Sequence, residues 1–208
     1  MSTALHLETP LSSSSDITRR EELLDQIQSL ILVEGFTQLR VGTLAAHLRC
    51  SRSTIYKLAP SKDELIALVF QRIVDQALAE ASAEAELLED PAERVVRFTE
   101  VIGRWQAKGS EAFWRDVRNH PQASDVLSET RAKGYGILKG YLDEGIAAGR
   151  FRPANTAFVA YLIGNSYRAA RDPDVVRHLG ITSDEAVREI GRLIAYGMDA
   201  AHAQTSAG

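Results

Sequence analysis

The stretch VGTLAAHLRCSRSTIYKLAPSKDEL, residues 41–65, concentrates side chains that grip phosphate and read base edges. With Arg40 just before it, it carries five cations: Arg40, Arg49, Arg52, Lys57 and Lys62. No acid occurs from residue 35 to residue 62; the first is Asp63. Ser51, Arg52, Ser53 and Thr54 fall at the start of one helical run, where free backbone N–H groups and the positive end of the dipole favour an anion. Arg52 presents a planar fork of donors that matches the two acceptors on a guanine edge. Ser53 and Thr54 reach base edges or phosphates at short range. Tyr56 and Lys57, near the far end, suit backbone oxygens. Lys62 opens the following helix, and Thr43 sits on the preceding one, facing phosphate. An Asp or Glu among these residues would repel the phosphates, which accounts for their absence. The chemistry these residues point to is recognition of double-stranded DNA.

Such residues need a rigid carrier. Val41–Leu48 reads as a short helix with Leu44 and Leu48 on one side, broken at Arg49–Ser51. Ser51 then caps a helix over Arg52–Leu58, which Pro60 stops. Two short helices bury too little by themselves. The third member is a helix from Thr18, opened by a Thr18–Glu21 capping box, lined by Leu23/Leu24, Ile27 and Leu30/Ile31, and ended at Gly35. Ala45 permits close crossing, and Ile55 reaches back to Leu44 and Leu48. The trio is a helix-turn-helix whose last helix fits a major groove.

The segment EGFTQLRVGTLAAHLRCSRSTIYKLAPSKDELIALV resembles the N-terminal domain of TetR-type one-component transcriptional regulators. The resemblance rests on Gly-Phe after the first helix, the small-residue LAAHL helix, the Ser-x-Ser-Thr-Ile-Tyr recognition helix and the Ser-Lys-x-Glu-Leu start of the fourth. It covers residues 18–70; beyond them the chain matches that family only in length and helical character. It implies that Arg52, Ser53, Thr54, Tyr56, Lys57 and Lys62 occupy DNA-contacting positions. It also implies a ligand-responsive, homodimeric regulator, a repressor on a palindromic operator. Three departures from the pattern stand out. Arg49 replaces a turn glycine, Leu58-Ala59 replaces a His-Phe pair, and Gly42 stands where a polar contact residue is common.

After residue 60 the same start and stop signals recur. Ser61 opens a helix to about Ala85, Asp90-Pro91 one to about Lys108, and residues 111–119 form a shorter one. Further helices are read over residues 122–148, from Pro153 or Asn155 to about Asp172, and over 183–203, with a short turn before Gly180. The fold class is all-α: an N-terminal helix-turn-helix domain (residues 17–62) behind a flexible tail (1–16), and a C-terminal helical bundle (63–205) for ligand binding and dimerisation.

Both tryptophans and most aromatics lie in residues 91–172. Phe98, Ile102 and Trp105 share one helix face. Phe113 and Trp114 follow on the next, Tyr135, Leu138 and Tyr141 on the third, and Asn165 and Arg168 on a fourth. Singly each reads as core; as a set, the resemblance implies a cavity for a small, largely apolar effector. Gly134, Gly136 and Gly140 within one helix cost about 1 kcal/mol each relative to Ala and leave it either pliant or closely packed. The apolar helices holding Phe158, Leu162 and Ile163, and Val187, Ile190 and Ile194, correspond to the pair that forms the dimer interface in the resembled family.

Composition fits this organisation. The 208-residue chain has a net charge of −4, but residues 1–62 hold seven Lys+Arg against six Asp+Glu while residues 63–208 hold 17 against 22. A locally basic module on an acidic body is the result. The single cysteine, Cys50, excludes an internal disulfide and reads as a small packing residue in a cytoplasmic protein. The N-terminus lacks the basic start and apolar core of a signal peptide, and no apolar run approaches a membrane span. The histidines show no ligand spacing, so no metal or other cofactor is expected. No phosphate loop, GxSxG or paired-carboxylate constellation marks an enzyme. The competing class is a small helical enzyme or intracellular ligand carrier whose basic segment is incidental.

Overall fold

The structure, a computed structural model, describes residues 14–170 and 172–200, with the side chains of Ser14, Tyr167 and Arg168 outside the described set. These residues form ten α-helices and no β-strand. They are α1 (Ser14–Glu34), α2 (Val41–His47), α3 (Arg52–Leu58), α4 (Lys62–Glu86), α5 (Pro91–Ala107), α6 (Glu111–Asn119), α7 (Pro121–Ala147), α8 (Thr156–Ala170), α9 (Pro173–Leu179) and α10 (Ser183–Gly197).

Local chemistry explains most of the boundaries. Asp90, Ser110 and Thr182 cap α5, α6 and α10 by accepting backbone N–H groups of their first turns, and Thr182–Glu185 forms a full reciprocal box. Ser61 accepts the Glu64 N–H at 3.2 Å and so starts α4. Asn155 accepts the Phe158 N–H at 3.0 Å at the head of α8.

Three expectations change. α1 begins at Ser14, so Thr18 is a helix-interior residue and residues 14–16 of the expected tail are helical; residues 1–13 lie outside the described set. The expected turn before Gly180 is α9, because Asp172-Pro173 repeats the cap-plus-proline start seen at Asp90-Pro91, and Gly180 ends it with φ +67°. α10 stops at Gly197 instead of continuing to residue 203, of which residues 201–203 are not described. There the backbone turns back: the Arg152 N–H donates to the Met198 carbonyl at 2.8 Å, and Phe151 pairs with Asp199 in a single β-bridge.

Two cores organise the molecule. The first gathers Leu23, Leu24, Ile27 and Ile31 of α1, Leu44 of α2 with Leu48 at its end, and Ile55 of α3. The first half of α4 and Phe113 and Val117 of α6 complete it. The helix-turn-helix therefore shares its core with α4 and α6, across the 62/63 boundary suggested by chain order. Arg72 of α4 reinforces this by pairing with Glu21 and, at 2.7 Å, with Asp25, both on α1. The second core joins α5, α7, α8 and α10 with the distal part of α4; α10 lies along α5.

Candidate nucleic-acid interface and ligand cavity

The turn between α2 and α3 is closed by the Cys50 N–H donating to the Ala45 carbonyl at 2.9 Å. Cys50 is half-buried against the first core, and Ile55 is fully buried, which anchors α3. Arg49 holds φ +51°, the only positive φ at a non-glycine residue among those described. The arginine at the turn-glycine position thus keeps the left-handed backbone a glycine would adopt. Leu58 packs against the first core and Ala59 is buried within it, so the pair supplies packing.

The Ser51 hydroxyl accepts the Thr54 N–H at 3.1 Å and lies 2.7 Å from the Ser53 hydroxyl and 2.9 Å from that of Thr54. Three hydroxyls therefore cluster at the open end of α3. Thr43, Arg52, Ser53, Tyr56 and Lys57 are exposed; Thr54 and Lys62 are half-buried. The Arg52 guanidinium lies across the start of α2, where a Cβ on Gly42 would come within 2.6 Å of it. A side chain at Gly42 would displace the flexible end of Arg52 from this resting place. Lys62 donates from Nζ to the Thr37 carbonyl at 3.0 Å, which ties the start of α4 to the α1–α2 loop. The helix-turn-helix thus brings all seven sequence-derived residues to one module.

An apolar cavity, open to solvent on one side, lies between α4, α5, α6 and α7. Six expected residues line it: Phe98, Ile102, Trp105, Trp114, Tyr135 and Leu138. Four do not. Phe113 is buried in the first core, edge-on to Phe36 with ring centroids 6.2 Å apart. Tyr141 sits behind Phe98, edge-on at 6.1 Å, where burial pushes its phenol up. Asn165 donates to the Tyr161 carbonyl at 2.9 Å within α8, and the Arg168 side chain lies outside the described residues.

The wall also contains residues the sequence reading missed: Ile73, Val74, Ala77 and Leu78 of α4, then Gln106, Thr130 and Arg131. The α4 members carry a signal, since the apolar stripe of that helix runs on past the head. Gln106 and Arg131 carry none, because a single polar residue on an amphipathic helix reads as solvated. Gly134 lines the cavity, whereas open space surrounds the missing Cβ of Gly136 and Gly140. Tight packing within the chain is therefore not what requires them.

Both indoles turn their N–H groups away from the space. Trp105 donates to Glu80 at 2.9 Å and Trp114 to the Gln106 carbonyl at 3.1 Å, leaving ring carbon for the wall. Tyr135 packs on the α8 backbone: a Cβ on Gly164 would fall 1.6 Å from its ring.

α6 connects cavity and head. Trp114 lines the cavity, and two residues on Asp116 is buried at 4% exposure. Its carboxylate accepts the backbone N–H groups of Phe36 and Thr37, each at 2.7 Å. Burial by itself would raise its pKa. The two N–H donors, the Thr37 hydroxyl and the nearby Arg115 charge outweigh that and hold it below the ordinary carboxylate value. The Ser110 N–H also donates to the Leu32 carbonyl at 2.8 Å, and the His120 ring stacks edge-on against Phe36.

The expected interface residues divide. Phe158 and Leu162 are exposed on α8, beside exposed Tyr161. Ile163 and Val187 are fully buried in the second core, and Ile190 and Ile194 pack against it. The regular apolar stripe of α10 faces α5 because it closes the chain's own core. The outward apolar residues of α10 are instead Leu193, 71% exposed, and Tyr196, 61% exposed.

No helix among the described residues is long and apolar enough to cross a membrane. No family model matches the chain. An uncharacterised HTH-type transcriptional regulator of Mycobacterium tuberculosis is 29% identical over 123 residues, 58% of each chain, so the match spans less than two thirds of that relative's length. A regulator from Saccharomonospora viridis, solved in complex with choline, superposes with TM-score 0.69 at 21% identity, covering 88% of this chain and 98% of that one. A TetR regulator from Haloarcula marismortui gives 0.73 at 18% identity over 88% and 99%. The fatty acid degradation regulator FadR from Bacillus halodurans gives 0.68 at 14% identity over 90% and 97%. At such identities the likeness is one of architecture: the chain has the fold of TetR-family transcriptional regulators.

Proposed function

We propose that this chain is a ligand-responsive transcriptional repressor that binds a palindromic DNA operator as a homodimer in the cytoplasm. The observation that carries the reading is α3: an exposed helix start of hydroxyls and Arg52, free of carboxylates and anchored through Ile55. Free N–H groups and cations suit phosphate there, and Arg52 reads a base edge once it swings off Gly42.

One α3 reads too few bases for specificity. Two copies with reading helices about 34–36 Å apart meet successive major-groove faces on one side of the duplex. The exposed apolar residues Phe158, Tyr161 and Leu162 of α8, with Leu193 and Tyr196 of α10, suit a self-complementary dimer face. A small, largely apolar effector fits the cavity between α4 and α7. Choline, found in the Saccharomonospora relative, suits it poorly, because Arg131 is the single charged residue of the wall.

The effector works by favouring one spacing of the two heads over the other. A shift from mostly bound to mostly released needs about 5 kcal/mol of differential affinity. α4 and α6 are the levers, since each belongs to both the cavity wall and the first core. Selection from a random duplex library, followed by gel shift, tests the reading. An enriched inverted repeat bound by two chains supports it. Ligand binding or turnover with no duplex preference would place the chain among carriers or enzymes instead.

A further inference from the structure

The cavity wall is apolar except at a few points, and most of those are satisfied. Both indole N–H groups have acceptors, and the Thr130 hydroxyl donates to the Val126 carbonyl at 2.8 Å. Two groups are different. The side-chain oxygen of Gln106 and the Nε of Arg131 are buried without a hydrogen-bond partner, and Gln106 is only 7% exposed. Leaving such groups unpaired is costly, and although the Arg131 side chain as a whole is half-buried, its buried Nε–H is a charged donor that an anion would satisfy. No Asp or Glu lines this cavity to neutralise Arg131.

From these observations we infer that the cavity binds a monocarboxylate with an apolar body. The carboxylate accepts from Arg131 Nε–H, and Gln106 turns its amide to donate its –NH₂ to the same head. The body lies on Phe98, Ile102, Trp105 and Leu138. The assignment rests on the reading of this cavity as the effector site and names the effector's chemical class.

The test uses the full chain and three probes sharing one tail: octanoate, octan-1-ol and octyltrimethylammonium, each titrated by calorimetry and tryptophan quenching. Octanoate is expected to bind at least about tenfold more tightly than the alcohol, because a charge-assisted hydrogen bond replaces an unpaired group. The ammonium is expected to bind most weakly. Arg131→Met, which keeps the wall's shape, removes the preference, whereas Arg131→Lys retains part of it. Equal or tighter binding of the alcohol or the ammonium overturns the inference, as does a preference that survives in Arg131→Met or binding of none of the three. Duplex binding by the same preparation is measured without probe. If it is intact while the preference fails, the carboxylate assignment alone falls; if it is missing, the regulator reading falls whatever the probes do.

Discussion

The carboxylate of Asp116, on α6, accepts the backbone N–H of Phe36 at 2.7 Å, joining two residues 80 positions apart in the chain. A second bond to the Thr37 N–H makes the α1–α2 loop hang from α6. Asp116→Ala is expected to destabilise the chain by about 1.5–3 kcal/mol, since the buried Phe36 N–H and the partly buried Thr37 N–H lose a charged acceptor. It is also expected to blunt effector-driven release of DNA while leaving effector affinity nearly unchanged. Urea unfolding and gel shifts with and without effector read the two effects separately.

The same residue sets a pH dependence. Because its folded-state pKa is held below the ordinary Asp value of about 3.9, its stabilisation is whole above that value and is lost as pH falls through the folded pKa. The stability gap between the parent chain and Asp116→Asn should therefore be flat from pH 5 to 8 and shrink below about pH 4. A gap that instead grew on acidification would contradict the assigned bonds.

Arg49 occupies a left-handed backbone conformation that glycine adopts without strain. Arg49→Gly is expected to stabilise the turn by about 1 kcal/mol, visible as a rise in Tm of several degrees. Removing a cation from the basic segment should lower DNA affinity at the same time. Stability and binding then move in opposite directions.

Arg52 and Lys62 should fail differently on DNA. Arg52→Ala is expected to cost about 1–3 kcal/mol and to relax one base preference in a panel of operator variants. Lys62→Ala should weaken binding evenly across sequences and lower the salt slope by about one. Since Lys62 also donates to the Thr37 carbonyl, its loss should loosen the α1–α2 loop, measurable as faster amide exchange there.

On the proposed assembly, the outward residues of α8 and α10 form the dimer face. Leu193→Glu combined with Phe158→Glu should yield a monomer by sedimentation, with the circular dichroism spectrum retained and operator binding lost. Val187→Glu should unfold the chain instead, because Val187 is fully buried against α5.

What could be read in advance follows from the range of the interactions. α3 runs from Arg52 to Leu58 as its sequence implies, because the Ser51 cap and Pro60 stop act within a few residues. The apolar faces of α5 and α7 were legible, and five of their expected residues line the cavity together with Trp114 of α6. The apolar stripe of α10 was equally plain, but periodicity shows that a face is buried without showing against what. Val187 turned out to face α5, Ile190 and Ile194 pack against the chain's own second core, and the most exposed apolar residues lie off the stripe. Asp116, Gln106 and Arg131 gave no signal, since their meaning depends on groups brought together only by the fold.

The bare backbone at Gly164 lets the Tyr135 ring rest on α8, the helix that also presents Phe158 and Leu162 outward. Whatever fills the cavity leans on that ring, and the ring leans on the surface a twin subunit would meet. In the proposed dimer, occupancy would then have a sideways outlet as well as the downward one through α6: loading one half of the pair would alter the seat of the other, so the two halves would not fill independently.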